Sequence, residues 1–416
     1  MINAKDLERY PNRQKALAII EAGLLAINTK EVVRSSVILQ GDVLKIKDLE
    51  ISLKDYKRIK VIGFGKASSD AALALEEVLG SKISGGVIID IKSSETKYIK
   101  SLIGDHPHPS MKNVLATEKV VEEVKGSTED DLVLVIVSGG GSALFCWPEE
   151  ECNQGETLYT SFLKVGGTIE ELNIVRKHLS LIKGGGLAKM LYPARVVGLI
   201  FCDVPGGNAE EVASGPTAKD TTTIEDAKQI LDKYGFADFK LNETPKEDEY
   251  FKNVSNVSLV SNADALDAMA NKAKELGFEP KILSPKIYDL PEIAVKNFKN
   301  ILTKGSAILG GGEIKLVVEG KGGSGGRCVQ VALEALEHLE EGETFAAIAS
   351  DGIDNSDTAG AVVDEETLKV VKELNLDTKD YLERRDSYEF FKKTGNLVFT
   401  GPTGANVSDL MLWIKE

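Results

Sequence analysis

Cysteine and histidine are both scarce in this 416-residue chain, at four each. Cys146, Cys152, Cys202 and Cys328 form no CxxC pair, and the histidines no HxxxH pair, which argues against a disulfide framework and a structural zinc site. The cysteines read as small buried hydrophobes. Positive charge is also in deficit: the net charge of -15 excludes a nucleic-acid or anionic-membrane surface as the expected partner, because both reward basic patches. No long apolar run opens the chain. "MINAKDLERYPNRQKALAII" is broken by charges throughout, so neither a signal-peptide core nor a membrane span is expected there, and the expected location is the cytoplasm. No GxxxxGK[ST] string occurs anywhere, which excludes a Walker A loop, and no fixed-period repeat or low-complexity tract appears.

What is present is an ordinary globular composition, 42% hydrophobic and 28% charged, in a chain long enough for two or three domains. Short Val- and Ile-rich runs alternate with helical patterns, the signature of βα units that build a mainly parallel sheet. "RIKVIGFG", "GGVIID", "DLVLVIV" and "RVVGLIFCDV" are predicted buried strands. "KALAIIEAGLLAI", "DAALALEEVLG" and "NVLATEKVVEEVKG" are predicted helices. The charged, aperiodic "LNETPKEDEYFKN" (241–253) suits a domain boundary. A second α/β run follows, with strands expected in "NVSLVS", "EPKILS", "SAILGGGEIKLVVEG", "TFAAIASDG" and "NLVFTGPTG". The expected organisation is a two-domain α/β protein, with a first domain over 1–240 and a second over 254–416 whose last ~25 residues pack back on the first.

The loops after these strands carry the chemistry, since open α/β sheets bind ligands beyond the carboxyl ends of their strands. After "LVLVIV", Gly139, Gly140 and Gly141 can let N–H groups converge on an anion, with Ser138 and Ser142 adding hydroxyls. "KGGGLAK" repeats the device at Gly184 and Gly185 with Lys183 in front, and "GGSGGR" sets Arg327 beside a glycine stretch. Local cations in an acidic protein point to an anionic ligand, with phosphate the natural candidate. "GFGKASSD" begins like a dinucleotide fingerprint, but Ser68 replaces its third glycine and Lys66 is inserted, where it can meet a phosphate or carboxylate. Asp203 and Asp351 end strands and can hold Mg²⁺ or accept a proton, while Asp354 and Asp357 suit turn chemistry. "TGPTGANVSDL" reads as strand, turn and helix start, with Thr403 or Asn406 as cap. "DHPHPS" holds His106 and His108 in a loop open to ligand contact.

"GFGKAS", "VIVSGGGSAL", "NIVRKHLSLIKGGGLA", "CDVPG", "ASGPT", "GGGE", "IASDGIDNSDTAGA" and "TGPTGANVSDL", in this order, resemble the class II glycerate kinases, whose C-terminal part is the MOFRL domain. The resemblance runs from about residue 10 to the C-terminus. It implies a Rossmann-like, mainly parallel N-terminal domain, a smaller α/β C-terminal domain and an active site in the cleft between them. It also implies ATP- and Mg²⁺-dependent phosphorylation of D-glycerate, with 2-phosphoglycerate as the usual product; a homodimer is a separate candidate assembly. The motif residues fall on Lys66, Asp203 and Arg327, and Gly311 and Glu313 of "GGGE" join the expected binding set. The chain departs from the pattern after Arg327, where "CVQ" replaces Asn-Gln-Glu, and after Gly206, where Gly207-Asn208 replaces an acidic residue. Two other readings compete: an NAD(P)H-dependent hydroxypyruvate reductase, opposed by the missing glycine, and a non-catalytic sugar-phosphate sensor.

Overall fold

The computed structural model describes residues 3–8, 10–206, 208–236, 239–317 and 322–416, and of Leu163 the backbone only. The chain divides into two compact units, each discontinuous in sequence. The parallel-sheet unit comprises Thr29–Cys202 and Asn208–Leu259, and the mixed-sheet unit Met1–Asn28, Asp203–Gly207 and Val260–Glu416.

The parallel-sheet unit opens with three short antiparallel strands, β1 (Val37–Gln40), β2 (Val43–Ile46) and β3 (Leu49–Ser52). Its main sheet contains β4 (Arg58–Phe64), β5 (Gly85–Asp90), β6 (Lys100–Ile103), β7 (Asp131–Val137), β8 (Arg195–Phe201) and β9 (Val254–Val260), in the spatial order β6-β5-β4-β7-β8-β9. Pairings from β6 to β8 are all parallel. β7 is buried at every residue because a parallel sheet is covered on both faces, which is why "DLVLVIV" reads as one apolar run instead of an alternation. The predicted helices form over Ser68–Leu79 and Met111–Val124.

In the mixed-sheet unit the strands are β10 (Glu279–Ile287), β11 (Ser306–Gly312), β12 (Glu343–Ala349), β13 (Gly360–Asp364), β14 (Leu397–Val398) and β15 (Asp409–Lys415), ordered β10-β11-β15-β12-β13-β14. Among the described residues β10 and β11 run parallel and the other pairings of this sheet are antiparallel. Phe298, Phe345 and Trp413 meet edge to face in a core completed by the helix Arg327–Leu336. The helices Pro11–Ala26 and Asn262–Glu275 pack closely on each other, and a Cβ on Gly23 would lie 2.8 Å from Met269 Cγ.

Three expectations are corrected here. Residues 1–28 belong to the mixed-sheet unit, not to a first domain spanning 1–240, and Arg13 anchors them there through a buried bidentate pair with Asp364 at 2.6 and 2.9 Å. The charged segment 241–253 is no boundary: Asn242 N donates to His178 O at 2.6 Å and Thr244 Oγ1 to Asp220 at 3.0 Å, strapping it to the parallel-sheet unit. The last residues enter a strand and not a helix. "LMLWI" is buried on both faces as β15, the strand between β11 and β12, and Asn406 Oδ1 accepts from Ser408 N in a local turn instead of capping a helix.

Candidate active site

The parallel sheet changes direction between β4 and β7, from which the chain runs outward to opposite edges. Loops beyond the strand ends splay apart at such a reversal and leave a crevice. Here those loops are Gly65–Ala67 and Ser138–Ser142, and they are laced together. Lys66 N donates to Gly139 O at 2.9 Å, Ser138 N to Phe64 O at 3.2 Å, and Ala67 N to Ser138 Oγ at 3.1 Å. Gly65 permits the approach: its φ is +112°, and a Cβ would fall 2.4 Å from the Ser138 carbonyl oxygen. At Gly140, with φ +80°, a Cβ would meet His106 Nε2 at 3.1 Å and Lys66 Cγ at 3.3 Å, so this glycine makes room for both side chains. Among the described residues the Gly139 and Gly140 N–H groups have no acceptor, while Gly141 N donates to Ser138 O. The switch point therefore combines a backbone-fixed lysine with two open N–H donors.

More positive charge gathers in the same unit. Burial, followed by the charges of Lys66, His108 and Arg176, lowers the His106 pKa to about 4, so the ring is neutral at physiological pH. Arg176, in the last turn of the helix Ile169–Leu179, lies 5.4 Å from the Tyr159 ring centroid, and burial pulls its pKa down to about 10. Pro107, Ser142, Cys146, Glu156, Tyr159 and Arg176 line one pocket. Ser142 Oγ lies 3.0 Å from Ser214 Oγ, which in turn donates to Asn173 Oδ1 at 3.3 Å. Ala213 and Ser214 hold φ of +53° and +60°, a strained pair of the kind found where a side chain must be aimed.

Three sequence candidates are engaged internally. Lys183 Nζ donates to Phe145 O at 2.7 Å and pairs with buried Glu151, so its charge is neutralised within the fold. Gly184 N and Gly185 N donate to the Ser214 and Gly215 carbonyls at 2.9 and 2.8 Å, making "KGGG" a brace for the strained turn and not an anion cradle.

In the mixed-sheet unit Arg327 opens its helix, and its guanidinium fork meets protein. Nε lies 3.0 Å from Asp409 Oδ2, Nη2 donates to Asp409 Oδ1 at 3.3 Å, and Nη1 lies 3.1 Å from Glu313 Oε2. Burial raises the Asp409 pKa to about 7 against the pull of Arg327, and raises that of Asp354 to about 6. Asp354 accepts from Cys328 N at 3.1 Å and Val329 N at 2.8 Å, so it caps the helix that carries Arg327. Asp203 lies in the short segment that this unit takes from the middle of the chain. Gly206 N of that segment donates to Asn262 Oδ1 at 3.4 Å, and Asn262 Nδ2 to Ser408 Oγ at 3.4 Å, next to Asp409. Asp351 Oδ1 accepts from Ile353 N at 3.0 Å, Thr403 Oγ1 donates to Ser350 O at 2.6 Å, and Gly311 is built into β11.

The structure thus brings Lys66 together with Ser138–Ser142, and Arg327 together with Glu313. Arg176, inside "NIVRKHLSLIK", and Asp409, ending "TGPTGANVSD", were not singled out from sequence. The available signals were a cation in the last turn of a helix and an acid at the mouth of an apolar run.

A family described as "Domain of unknown function (DUF4147)" matches residues 15–246, and the MOFRL family matches residues 306–409. The chain is 34% identical to the glycerate 2-kinase of Pyrococcus horikoshii, with 97% of each chain covered. The chain belongs to the MOFRL family of class II glycerate kinases. It is also 38% identical to the D-glycerate 2-kinase of Thermotoga maritima, covering 85% of this chain and 90% of that protein. The crystal structure of a Thermotoga maritima glycerate kinase superposes with a TM-score of 0.84 at 34% identity, covering 97% of this chain and 99% of the other. Both units therefore follow the family fold. Among the described residues no helix is long and apolar enough to cross a membrane, and no cluster of three His, Cys, Asp or Glu can hold a metal. A protein-only metal cage does not fit the described residues. An ion that arrives on nucleotide phosphates needs only one or two carboxylates besides phosphate and water.

Proposed function

We propose that this protein is a cytoplasmic glycerate 2-kinase, which transfers the γ-phosphoryl group of ATP to the 2-hydroxyl of D-glycerate. The observation that carries the reading is the near full-length likeness to D-glycerate 2-kinases, which spans both units. The chemistry agrees with it, because phosphoryl transfer requires alignment and charge neutralisation more than covalent participation. Lys66, fixed by its backbone bond to Gly139, is the cation for transferring phosphate oxygens, and the Gly139 and Gly140 N–H groups donate to the same anion. Arg327, locked by Asp409 and Glu313, is a positioned second cation with part of its guanidinium still exposed. Asp203 orients the glycerate hydroxyl and accepts its proton as the O–P bond forms. Asp203, with Asp351 as the second carboxylate, would hold Mg²⁺, which when bound neutralises charge on the phosphates. Ser68 at the third-glycine position and Lys66 beside it favour this reading over a nicotinamide enzyme.

Incubating the protein with ATP, Mg²⁺ and D-glycerate, and identifying the product by phosphorus NMR, tests the reading. The expected result is ADP and 2-phosphoglycerate, formed only when all three are present. A 3-phosphate product refutes the assigned position, and NADH oxidation by hydroxypyruvate without ADP formation refutes the kinase.

A further inference from the structure

The cations around the parallel-sheet pocket differ in how they are neutralised. Lys183 is paired with Glu151, and Lys177 with Asp220 at 3.1 Å. Among the described residues Arg176 has no ion pair within 4.0 Å and no hydrogen bond; it has only the Tyr159 ring beside it and a longer-range attraction from Glu156. A half-buried guanidinium without a carboxylate is costly, and an acidic chain has carboxylates to spare. A guanidinium so placed therefore suits an anion that comes and goes. The same pocket holds a second unmatched group. Glu156 Oε1 is taken by His108 Nδ1 at 2.8 Å, whereas Glu156 Oε2 is buried without a partner. One wall thus offers a cation that lacks an anion, and another an acceptor that lacks a donor.

We propose that this pocket is the subsite for the phosphoryl acceptor, in which Arg176 binds the carboxylate of a small hydroxy acid and Glu156 Oε2 accepts a hydrogen bond from its non-reacting hydroxyl. The assignment rests on the glycerate kinase reading and deepens it. It makes Arg176 the residue that separates glycerate from neutral polyols of the same size, because a neutral acceptor leaves the guanidinium unmatched. Ser142, which lines the pocket and is held by Ser214 and Asn173, supplies a hydroxyl at its rim.

The test uses the full chain with Arg176→Gln, Arg176→Lys and Glu156→Gln. Steady-state kinetics are run against ATP, D-glycerate and the neutral amide of glycerate, with calorimetric titration of D-glycerate in the absence of nucleotide. Arg176→Gln is expected to raise the KM for glycerate about 10²-fold, to leave the KM for ATP within about 2-fold, and to abolish the preference for acid over amide. Arg176→Lys keeps the charge but loses the planar fork, so it should lose about 10-fold in glycerate affinity. If Arg176→Gln fails to fold, Arg176→Lys and Glu156→Gln carry the test, through weaker glycerate binding at unchanged ATP affinity. Unchanged glycerate affinity in the folded variants, or a rise in the KM for ATP alone, overturns the assignment. A wild-type protein that binds glycerate but never forms ADP instead overturns the kinase reading and leaves the subsite standing.

Discussion

Replacing Asp409 by Asn should change how stability depends on pH more than it changes stability at any one pH. Asp409 is 3% exposed, and burial outweighs the pull of Arg327, so its folded pKa is about 7 against an ordinary 3.8. The folded state thus holds a proton that the unfolded chain releases between those values, and stability falls as pH rises across that window. A gap of about 3 pH units at 1.36 kcal/mol each gives roughly 4 kcal/mol in total, of which about 3 kcal/mol falls between pH 5 and pH 8. Asn cannot titrate, so the stability of Asp409→Asn relative to wild type should rise by about 3 kcal/mol from pH 5 to pH 8, whatever its constant offset. Urea unfolding followed by Trp413 reads this out, since Trp413 is fully buried in the same strand. A Trp147→Phe background removes the signal of the other unit, and the expected relative shift in midpoint is about 1 M or more. A stability difference that is the same at pH 5 and pH 8 would show that Asp409 is ionised throughout, and the account of its burial would be wrong.

Gly65→Ala should destabilise the parallel-sheet unit by about 3–5 kcal/mol, combining left-handed strain with overpacking against the Ser138 carbonyl, as read by thermal unfolding. A variant that melts like wild type would show that the two loops are not locked at Gly65. Arg327→Lys cannot reach both Asp409 oxygens and Glu313 together, so turnover should drop about 10²-fold although the charge is kept. Near-native steady-state kinetics for that variant would reduce Arg327 to a diffuse charge.

The parallel sheet was legible because β4, β5, β7 and β8 are covered on both faces and spell continuous Val and Ile runs. Lys66 was legible for a local reason: strand, glycine and lysine are consecutive. The direction of the Arg327 fork was not, since Asp409 lies 82 residues away. Arg176 was hidden more deeply, because its signal is the lack of a partner, which only tertiary structure reveals. Gly184 and Gly185 misled for the converse reason: their N–H groups find acceptors in a turn about 30 residues downstream. The helix 11–26 was recognised by its apolar period, but periodicity says that a face is buried and not against what.

That helix sets a schedule for biosynthesis. Arg13 leaves the ribosome 351 residues before Asp364, its buried partner, which at usual elongation rates of 5–20 residues per second is a wait of roughly 20–70 s. Throughout that interval Leu17, Ile19 and Ile20, all fully buried in the finished protein, have no mature sheet to cover them. The nascent chain must carry the helix Pro11–Ala26 as an exposed adhesive surface while the parallel sheet is being made, so this helix is where a holding chaperone would act.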